Sequence, residues 1–259
     1  TYVFFIFYSF LIPIYHRMER LLNKLSLFLM LTAFLLLNSC TQHLKATKTL
    51  AEVKKSVFKI EVWFLPPDCD SEKQTCVPGK GKYQLFSTGS AAWVHYKGRK
   101  VLLTAAHVCD LGPRLEVMKK LGGKVKIEAV DRINRVHSTS QIKYDHKLDL
   151  CLLEIRDIKF KIPALRISTK RPEYGERLYN LGAPLGVIDG DMVPVFEGFF
   201  MGNDHEHAFY SIPAIGGSSG SAIVNIKGEI VGMIHSVHYR MHHISLSPRY
   251  HDLWNFLKN

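Results

Sequence analysis

Short runs of apolar and β-branched residues, separated by turn-forming residues, recur along the chain from about residue 55 onwards. Runs of this kind predict β-strands, because strands are short, favour branched and aromatic side chains, and are bounded by Gly, Pro, Asn or Asp. Many short strands at this spacing predict an all-β sandwich or barrel. The predicted strands are 57–64, 84–96, 101–104, 125–130, 150–155, 177–181, 222–226 and 229–235.

The pattern changes near the C-terminus, where apolar residues recur at helical spacing. Ser247 followed by Pro248 predicts the beginning of the helix, because Ser caps a helix and Pro is tolerated in its first turn. The residues that fall on one face are Tyr250, Leu253, Trp254 and Leu257. We therefore predict an all-β domain over residues 55–259 that closes with a short helix ending at Leu257.

Three short motifs supply the residue types of a nucleophilic hydrolase. His107 follows Thr-Ala-Ala, Asp149 opens the apolar run 149–153, and Ser219 lies within Gly-Ser-Ser-Gly-Ser. A serine hydroxyl becomes an effective nucleophile when a base takes its proton, and a carboxylate fixes the tautomer of that base. Glycines beside the serine allow a tight turn and present N–H groups to a developing oxyanion. The order His, Asp, Ser predicts a catalytic triad of His107, Asp149 and Ser219.

These motifs resemble those of the trypsin-like serine peptidases, and among them the bacterial HtrA-like branch most of all. The resemblance runs from about Glu52 to the C-terminus, and it includes Leu-Gly-Ala-Pro-Leu-Gly at 181–186 and Val-Gly-Met-Ile at 231–234. It implies two β-barrels with the triad across their junction, divided near residues 157–171. We expect a peptidase domain without the PDZ domains of full HtrA proteins.

The same resemblance implies a role for each site residue. His107 is the general base, Asp149 orients it and Ser219 is the nucleophile. The backbone N–H groups of Gly217 and Ser219 form the oxyanion hole. Ser221 stands where the family usually has a second glycine, a departure that leaves both N–H donors in place.

Cleavage specificity depends on the S1 pocket, which the resemblance lines with Ala214 and with the strand ending near His235. No aspartate stands at the base of the pocket, so cleavage after Lys or Arg is not predicted. Glutamyl endopeptidases place a histidine on this wall, so His235 predicts a preference for Glu or Asp, through a one-residue shift. Two alternatives stay open: a small apolar pocket, or a polar surface loop formed by His235, His238, His242 and His243.

The segment before the peptidase domain has the pattern of a lipoprotein signal. Met18 begins a basic stretch, and residues 25–37 form an apolar run too short for a typical membrane-spanning helix. The run ends in Leu-Asn-Ser-Cys, which resembles the lipobox of bacterial lipoproteins, where cleavage precedes a lipid-carrying cysteine. We predict a signal over 18–39 and lipidation of Cys40, with an ordinary signal peptide and an incidental cysteine as the alternative.

The remaining boundaries follow from this interpretation. Residues 1–17 are expected to be an upstream or non-native segment, with a genuine extra hydrophobic segment as the alternative, and residues 40–54 are expected to be a tether. The mature protein is expected in the cell envelope, lipid-anchored on the extracytoplasmic side of a bacterial membrane, in the periplasm or on the cell surface.

Cysteine usage fits an oxidising compartment. Cys69 and Cys76 bracket a polar loop between two apolar segments, which predicts a local disulfide. Cys109 and Cys151 each come two residues after a predicted triad member, so the fold should bring them close. For this pair we expect small buried thiols, with a disulfide as the alternative. No Cys/His spacing matches a structural zinc site, and the predicted mechanism needs no metal or cofactor.

The formal net charge of the chain is +11, and it falls to about +9 without residues 1–39, which hold three basic residues and one acidic residue. Basic surfaces attract nucleic acids or anionic lipids. The lysines are scattered and no nucleic-acid motif is present, so we expect a basic surface near an anionic membrane and no nucleic-acid partner. The sequence predicts a lipid-anchored serine endopeptidase acting on polypeptides; the alternative is a catalytically silent envelope lipoprotein of the same fold that binds peptides.

Overall fold

The computed structural model describes residues 24–28, 30, 32, 45–70, 75–110, 116–117, 119–156, 161–190 and 192–259. The chain divides into two units, residues 1–48 and residues 49–259. Within the described ranges, no helix is both long enough and apolar enough to cross a membrane. The predicted lipidation site Cys40, residues 1–17 and much of the predicted signal lie outside the described residues.

The first half of the larger unit is a closed β-barrel. Its strands β1, β4, β5, β8, β7 and β6 pair in that order, while β2 and β3 form a separate hairpin. The bounds in chain order are β1 (Val57–Leu65), β2 (Asp68–Asp70), β3 (Thr75–Val77), β4 (Gln84–Tyr96), β5 (Arg99–Thr104), β6 (Lys124–Asp131), β7 (Val136–Asp145) and β8 (Leu150–Ile155). The side chains of Leu102, Leu103, Leu152 and Leu153 are completely buried, because β5 and β8 pair in the middle of the barrel wall.

The second half is a seven-stranded sheet that curves into a half-barrel. Its strands pair in the order β13, β12, β9, β10, β11, β15, β14. The bounds are β9 (Arg177–Leu181), β10 (Val195–Asn203), β11 (His207–Tyr210), β12 (Ala222–Val224), β13 (Ile230–Met233), β14 (Ser236–His238) and β15 (Met241–Pro248). Leu178, Tyr210 and Ile223 fill its core without exposure to solvent. The predicted all-β class with two barrel halves and a short C-terminal helix is confirmed.

Some strands could not be predicted because their hydrophobic pattern is weak. The predictions 84–96, 150–155 and 177–181 match the observed strands, whereas β7, β10, β11, β14 and β15 were not predicted. In β7 only one residue is buried, so no regular alternation marks the strand in the sequence. These strands depend on partners elsewhere in the barrel for their extended conformation.

The predicted beginning of the C-terminal helix was wrong. The helix is Tyr250–Lys258, and Ser247 and Pro248 are the last residues of β15. The Ser247 hydroxyl accepts a hydrogen bond from the N–H of Met233 at 3.0 Å, so it serves the sheet and does not cap the helix. Within β14 and β15 lie His238, His242 and His243, which therefore belong to a strand pair and not to a surface loop.

Both cysteine pairs of the larger unit are disulfides in the structure. Cys69 and Cys76 face each other across the β2–β3 hairpin. Cys109 is also bonded to Cys151, with a Cα–Cα distance of 6.5 Å, which corrects the expectation of buried thiols. The cause is topological: β5 pairs with β8, and the short helix Ala106–Cys109 after β5 places Cys109 over Cys151.

We predict that the Cys109–Cys151 disulfide stabilises the barrel more than the hairpin disulfide does. The two bonds link residues 42 and 7 positions apart, and a longer closed loop restricts the unfolded chain more. Replacing Cys109 and Cys151 by Ser should lower the free energy of unfolding by about 4 kcal/mol, against about 2.5 kcal/mol for Cys69 and Cys76. Urea denaturation measures both. Alkylation of Cys109 and Cys151 in unreduced, denatured protein would contradict the assignment.

Candidate active site

His107 and Asp149 are brought together by the pairing of β5 with β8. His107 lies in the helix Ala106–Cys109 that follows β5, and Asp149 immediately precedes β8. The imidazole Nδ1 is 2.7 Å from Oδ2 of Asp149, and the backbone N–H of His107 donates to Oδ1 at 2.9 Å. Both carboxylate oxygens of Asp149 therefore hold His107, which fixes the orientation of its ring.

The environment of Asp149 keeps its carboxyl group ionised. Burial by itself raises the pKa, but hydrogen bonds from the side chains of His107 and His235 and from the His107 backbone outweigh burial and hold the pKa of Asp149 well below its ordinary value. The carboxylate is therefore charged wherever the imidazole can act as a base, and it can stabilise the imidazolium that forms when His107 takes a proton.

Ser219 lies at the other side of the same junction, in the turn before β12. Its Oγ is 3.4 Å from the backbone carbonyl of His235, and among the described residues no hydrogen bond joins it to His107. Catalytic hydrogen bonds of free enzymes are often long and shorten when the substrate binds. The backbone of Ser219 nevertheless lies close to the helix of His107. Gly89 packs between the side chain of Val108, which belongs to that helix, and the Ser219 carbonyl.

The N–H groups predicted to form an oxyanion hole belong to Gly217 and Ser219. Neither N–H donates a hydrogen bond to another group in the described part of the chain, whereas the N–H groups of Ser218 and Gly220 donate to Ile215 and Ile234. Alternate N–H groups of the turn are thus paired inside the protein, and the two predicted donors have no partner among the described residues, as the predicted oxyanion hole requires.

Ser90, at the centre of β4, ties the first barrel to the turn that carries Ser219. Its hydroxyl donates to the Gly217 carbonyl at 2.7 Å and accepts from the Ala183 N–H at 2.8 Å. Its backbone N–H donates to the Ser219 carbonyl at 2.7 Å, and its carbonyl accepts from the Thr104 hydroxyl at 2.8 Å. Ser90 is completely buried, so these bonds form without competition from water.

Gly220 allows this close approach. Its φ is +90°, and a Cβ atom at this position would lie 2.1 Å from the Ser90 carbonyl oxygen and 3.1 Å from the Ala105 backbone nitrogen. Backbone atoms cannot move away from a clash as the end of a flexible side chain can. Only glycine therefore lets the turn pack against the end of β5, just before His107.

Ser221 stabilises the turn of Ser219 through hydrogen bonds of its hydroxyl group. Its hydroxyl donates to the Ser218 carbonyl at 2.7 Å and accepts from the Asn180 side-chain amide at 2.8 Å. Asn180 also donates to the Ala222 carbonyl at 3.0 Å. Sequence reasoning missed Ser90 and Asn180, because a polar residue within a strand that also holds other polar residues gives no local signal of its partners.

The predicted S1 residues lie on the other side of the turn. Ala214 is buried, and its N–H donates to the His242 carbonyl at 3.1 Å. His235 follows β13, and its Nδ1 is 3.5 Å from Oδ2 of Asp149. Its observed partners are thus Asp149, the His207 ring and the Leu246 carbonyl, and recognition of an acidic side chain by His235 stays a prediction.

An open cleft of about 1250 Å³ lies on the surface of the first half of the larger unit, beside His107 and Asp149. His107 and Asp149 form part of its wall, together with Phe86 and Thr88. At its rim His146 pairs with Asp110 at 3.0 Å. The cleft is large enough for several residues of an extended peptide. Among the described residues, no group of three or more His, Cys, Asp or Glu side chains is arranged to hold a metal ion.

We predict that Ser90→Ala weakens both the fold and the activation of Ser219. The variant leaves the buried Ala183 N–H without its acceptor, which should cost about 1–3 kcal/mol of unfolding free energy. It also frees the Gly217 peptide group, so the rate of Ser219 labelling by a fluorophosphonate should fall roughly tenfold to a hundredfold. The matched control is Ser138→Ala, at an exposed position in the same barrel. Labelling at the rate of that control would contradict the role given to Ser90.

Comparison with known proteins agrees with this geometry. The family model for the trypsin-like peptidase domain matches residues 89–233, a span that contains His107, Asp149 and Ser219. A search of curated proteins gave no significant match. The crystal structure of the serine endoprotease from Yersinia pestis superposes with a TM-score of 0.58 and 16% sequence identity, over 81% of this chain and 64% of that chain. This likeness shows the fold alone, and the chain spans less than two thirds of that structure. Because the family model covers more than half of the 259 residues, the chain belongs to the family of trypsin-like peptidase domains.

Proposed function

We propose that this protein is a serine endopeptidase that cleaves peptide bonds through an acyl-enzyme. The observation that carries the proposal is the attachment of His107 to both oxygens of Asp149, at 2.7 Å and 2.9 Å. A histidine base that takes the proton of a serine hydroxyl requires an ionised carboxylate that accepts hydrogen bonds from it. Asp149 accepts two such bonds from His107.

The proposed reaction uses only residues of this chain. His107 takes the proton of Ser219 as the hydroxyl attacks the scissile carbonyl, and Asp149 stabilises the imidazolium. The N–H groups of Gly217 and Ser219 receive the negative charge that develops on the carbonyl oxygen. His107 then returns the proton to the leaving amine, and a water molecule releases the acyl group by the same steps.

The alternative is a catalytically silent protein that binds peptides. The observation in its favour is the position of the Ser219 hydroxyl, which is 3.4 Å from the His235 carbonyl and is not bonded to His107. Reaction with a fluorophosphonate therefore separates the two functions, because only a serine activated by its base reacts quickly.

We further propose that the peptidase is anchored to the extracytoplasmic face of a bacterial membrane through a lipid on Cys40. The apolar run and its Leu-Asn-Ser-Cys ending support this anchor. The two disulfides of the larger unit are consistent with an oxidising compartment. The positive charge of the chain would favour the surface of an anionic membrane. The proposed substrates are polypeptides in the envelope.

We predict that Ser219→Ala abolishes hydrolysis of a casein-like substrate and labelling by a fluorophosphonate. Asp149→Asn should reduce kcat by about 10⁴, because His107 then loses the acceptor that fixes its tautomer. The measurement is proteolysis by purified protein that lacks residues 1–40. Circular dichroism confirms that each variant is folded, and Ser138→Ala is the control. Hydrolysis by Ser219→Ala within a few-fold of the parent protein would refute the proposal.

We predict that the mature protein begins at Cys40 and carries lipid on its thiol. The test is mass spectrometry of the N-terminal peptide after expression of the full chain in a bacterium with lipoprotein processing. The Cys40→Ala variant should remain unprocessed or lack the lipid. The peptidase activity of this variant should be unchanged, because Cys40 lies outside the peptidase domain. An unmodified cysteine, or cleavage at another position, would show that the signal is an ordinary one.

A further inference from the structure

The turn between β4 and β5 carries positive charges at the surface of the first barrel. Lys97 and Gly98 form the turn, and Arg99 and Lys100 begin β5. All four residues are exposed, and a Cβ atom added to Gly98 would meet no other atom within 4 Å. The turn therefore projects into solvent, where its cations are accessible to a partner.

Three cations are gathered around the ring of Tyr96, the last residue of β4. The charged groups of Lys97, Arg99 and Lys143 lie 5.7, 5.8 and 5.7 Å from the centroid of this ring. Lys143 is also held by the fold, because its ammonium group donates to the Phe256 carbonyl at 2.9 Å. Like charges at such short distances repel one another, so an anion bound at this surface would relieve the repulsion.

The segment 162–166 extends the positive surface on the other side of the turn. The Lys100 ammonium group donates to the Ile162 carbonyl at 3.3 Å, and Arg166 is exposed at the end of the segment. His95 pairs with Lys100 across the two strands. Partial burial and the positive charges of Arg166 and Lys100 lower the pKa of His95, which agrees with a positive potential at this place.

Few acidic groups offset these charges. Glu154 lies 3.5 Å from Arg99, and both side chains of this pair are partly exposed, so the pair neutralises the surface only in part. In the part of the chain that the structure describes, no acidic group lies within 4 Å of the charged nitrogens of Lys97, Lys100 or Arg166. We call Lys97, Arg99, Lys100 and Arg166 the basic patch.

The basic patch lies where the chain enters the peptidase domain. β1 begins at Val57, which pairs with Ala92 of the antiparallel strand β4. The residues before Val57 therefore lie towards the β4–β5 turn. The Ser56 hydroxyl agrees with this position, because it donates to the Pro163 carbonyl at 2.6 Å, within the segment 162–166 that carries part of the basic patch.

A lipid on Cys40 would hold this side of the domain near the bilayer. Lys54 is 14 positions after Cys40, and residues 45–53 between them are helical. A helix advances about 1.5 Å per residue, against about 3.5 Å for an extended chain. The predicted tether therefore reaches about 30 Å at most, and it ends beside the basic patch.

The opposite end of β4 lies at the active site. Thr88 of this strand lines the cleft beside His107, and Tyr96 is 8 positions further along the same strand. At about 3.3 Å per residue, this part of the strand spans about 26 Å. A domain that rests on the basic patch therefore keeps its cleft away from the headgroups, where a polypeptide can enter.

We propose that the basic patch binds the anionic headgroups of the membrane to which the protein is anchored, and so holds the peptidase domain with its cleft away from the bilayer. The inference rests on the proposed membrane location of the protein and not on its peptidase activity. Each Lys or Arg near an anionic membrane surface strengthens binding by about fivefold. The patch is a second attachment besides the lipid, and it orients the domain.

The experiment measures binding of the protein without residues 1–40 to lipid vesicles, so that the lipid on Cys40 plays no part. The domain is a compact unit of its own from residue 49 onwards, and circular dichroism checks its fold. We expect binding to vesicles of phosphatidylcholine and phosphatidylglycerol in equal parts, and no binding to vesicles of phosphatidylcholine alone. Binding should weaken as the salt concentration rises, because salt screens exposed charges.

The patch variant is Lys97→Glu with Lys100→Glu, and its matched control is Lys80→Glu with Lys82→Glu. Lys80 and Lys82 are exposed residues just before β4, at the opposite end of the same strand. Both double variants change the net charge equally. We expect the patch variant to lose at least about twentyfold in vesicle affinity and the control less than about threefold, because charges more than about 10 Å from the surface are screened.

A second variant and a fluorescence measurement keep the outcome clear. Lys97→Glu with Arg166→Glu replaces the patch variant if Lys100→Glu unfolds the domain. The other cysteines of the truncated protein are in disulfides, so a single introduced thiol can be labelled with a fluorophore. Nitroxide-bearing lipids in anionic vesicles should quench the label on Lys97→Cys strongly and the label on Lys82→Cys weakly.

Three results would overturn the inference. Equal loss of vesicle affinity in the patch and control variants would mean that only net charge matters. Equal quenching of the two labels would mean that the domain has no fixed orientation. Binding to duplex DNA without binding to anionic vesicles would assign the patch to nucleic acids. Failure of the lipid anchor is a separate result, because mass spectrometry of the N-terminal peptide shows it and the truncated protein does not depend on it.

Discussion

The site depends on a buried polar junction between the first barrel and the turn of Ser219. Ser90 makes four hydrogen bonds there, two of them to Gly217 and Ser219. Such bonds are worth most where water is absent and where loss of one partner leaves the other unsatisfied. Gly220 is the steric counterpart, because any side chain would collide with the Ser90 backbone. Together these residues hold the turn of Ser219, the proposed nucleophile, against the barrel that carries His107 and Asp149.

Within the site, His107 and Asp149 are held rigidly, whereas the hydroxyl of Ser219 can change its position. His107 and Asp149 are fixed by strand pairing, by two hydrogen bonds and by the disulfide at Cys109. The hydroxyl of Ser219, in contrast, has one weak contact at 3.4 Å, so it can rotate when a substrate binds. In the proposed reaction, a base that is already oriented requires little reorganisation.

His235 makes further contacts with this site. The His235 imidazole lies 3.5 Å from the Asp149 carboxylate and stacks on His207 of β11. The sequence predicts that His235 contacts an acidic substrate side chain, and this stays a prediction. The observed contacts of His235 depend on its place between β13 and β14, on its hydrogen bond to Leu246 of β15 and on the pairing of β11 with β15. These features cannot be derived from the neighbouring residues alone.

The sequence by itself determined the all-β class, the strands with strong apolar runs, and the three candidate residues His107, Asp149 and Ser219. These are local properties, since hydrophobic spacing and the glycines around a nucleophile are visible within a few residues. Only the tertiary structure decided the Cys109–Cys151 bond and the supporting roles of Ser90 and Asn180. The bonds of Ser90 and Asn180 join groups as far as 127 and 42 positions apart. Such partners are chosen by strand order and register, which depend on the packing of the whole barrel and are not encoded in any short segment.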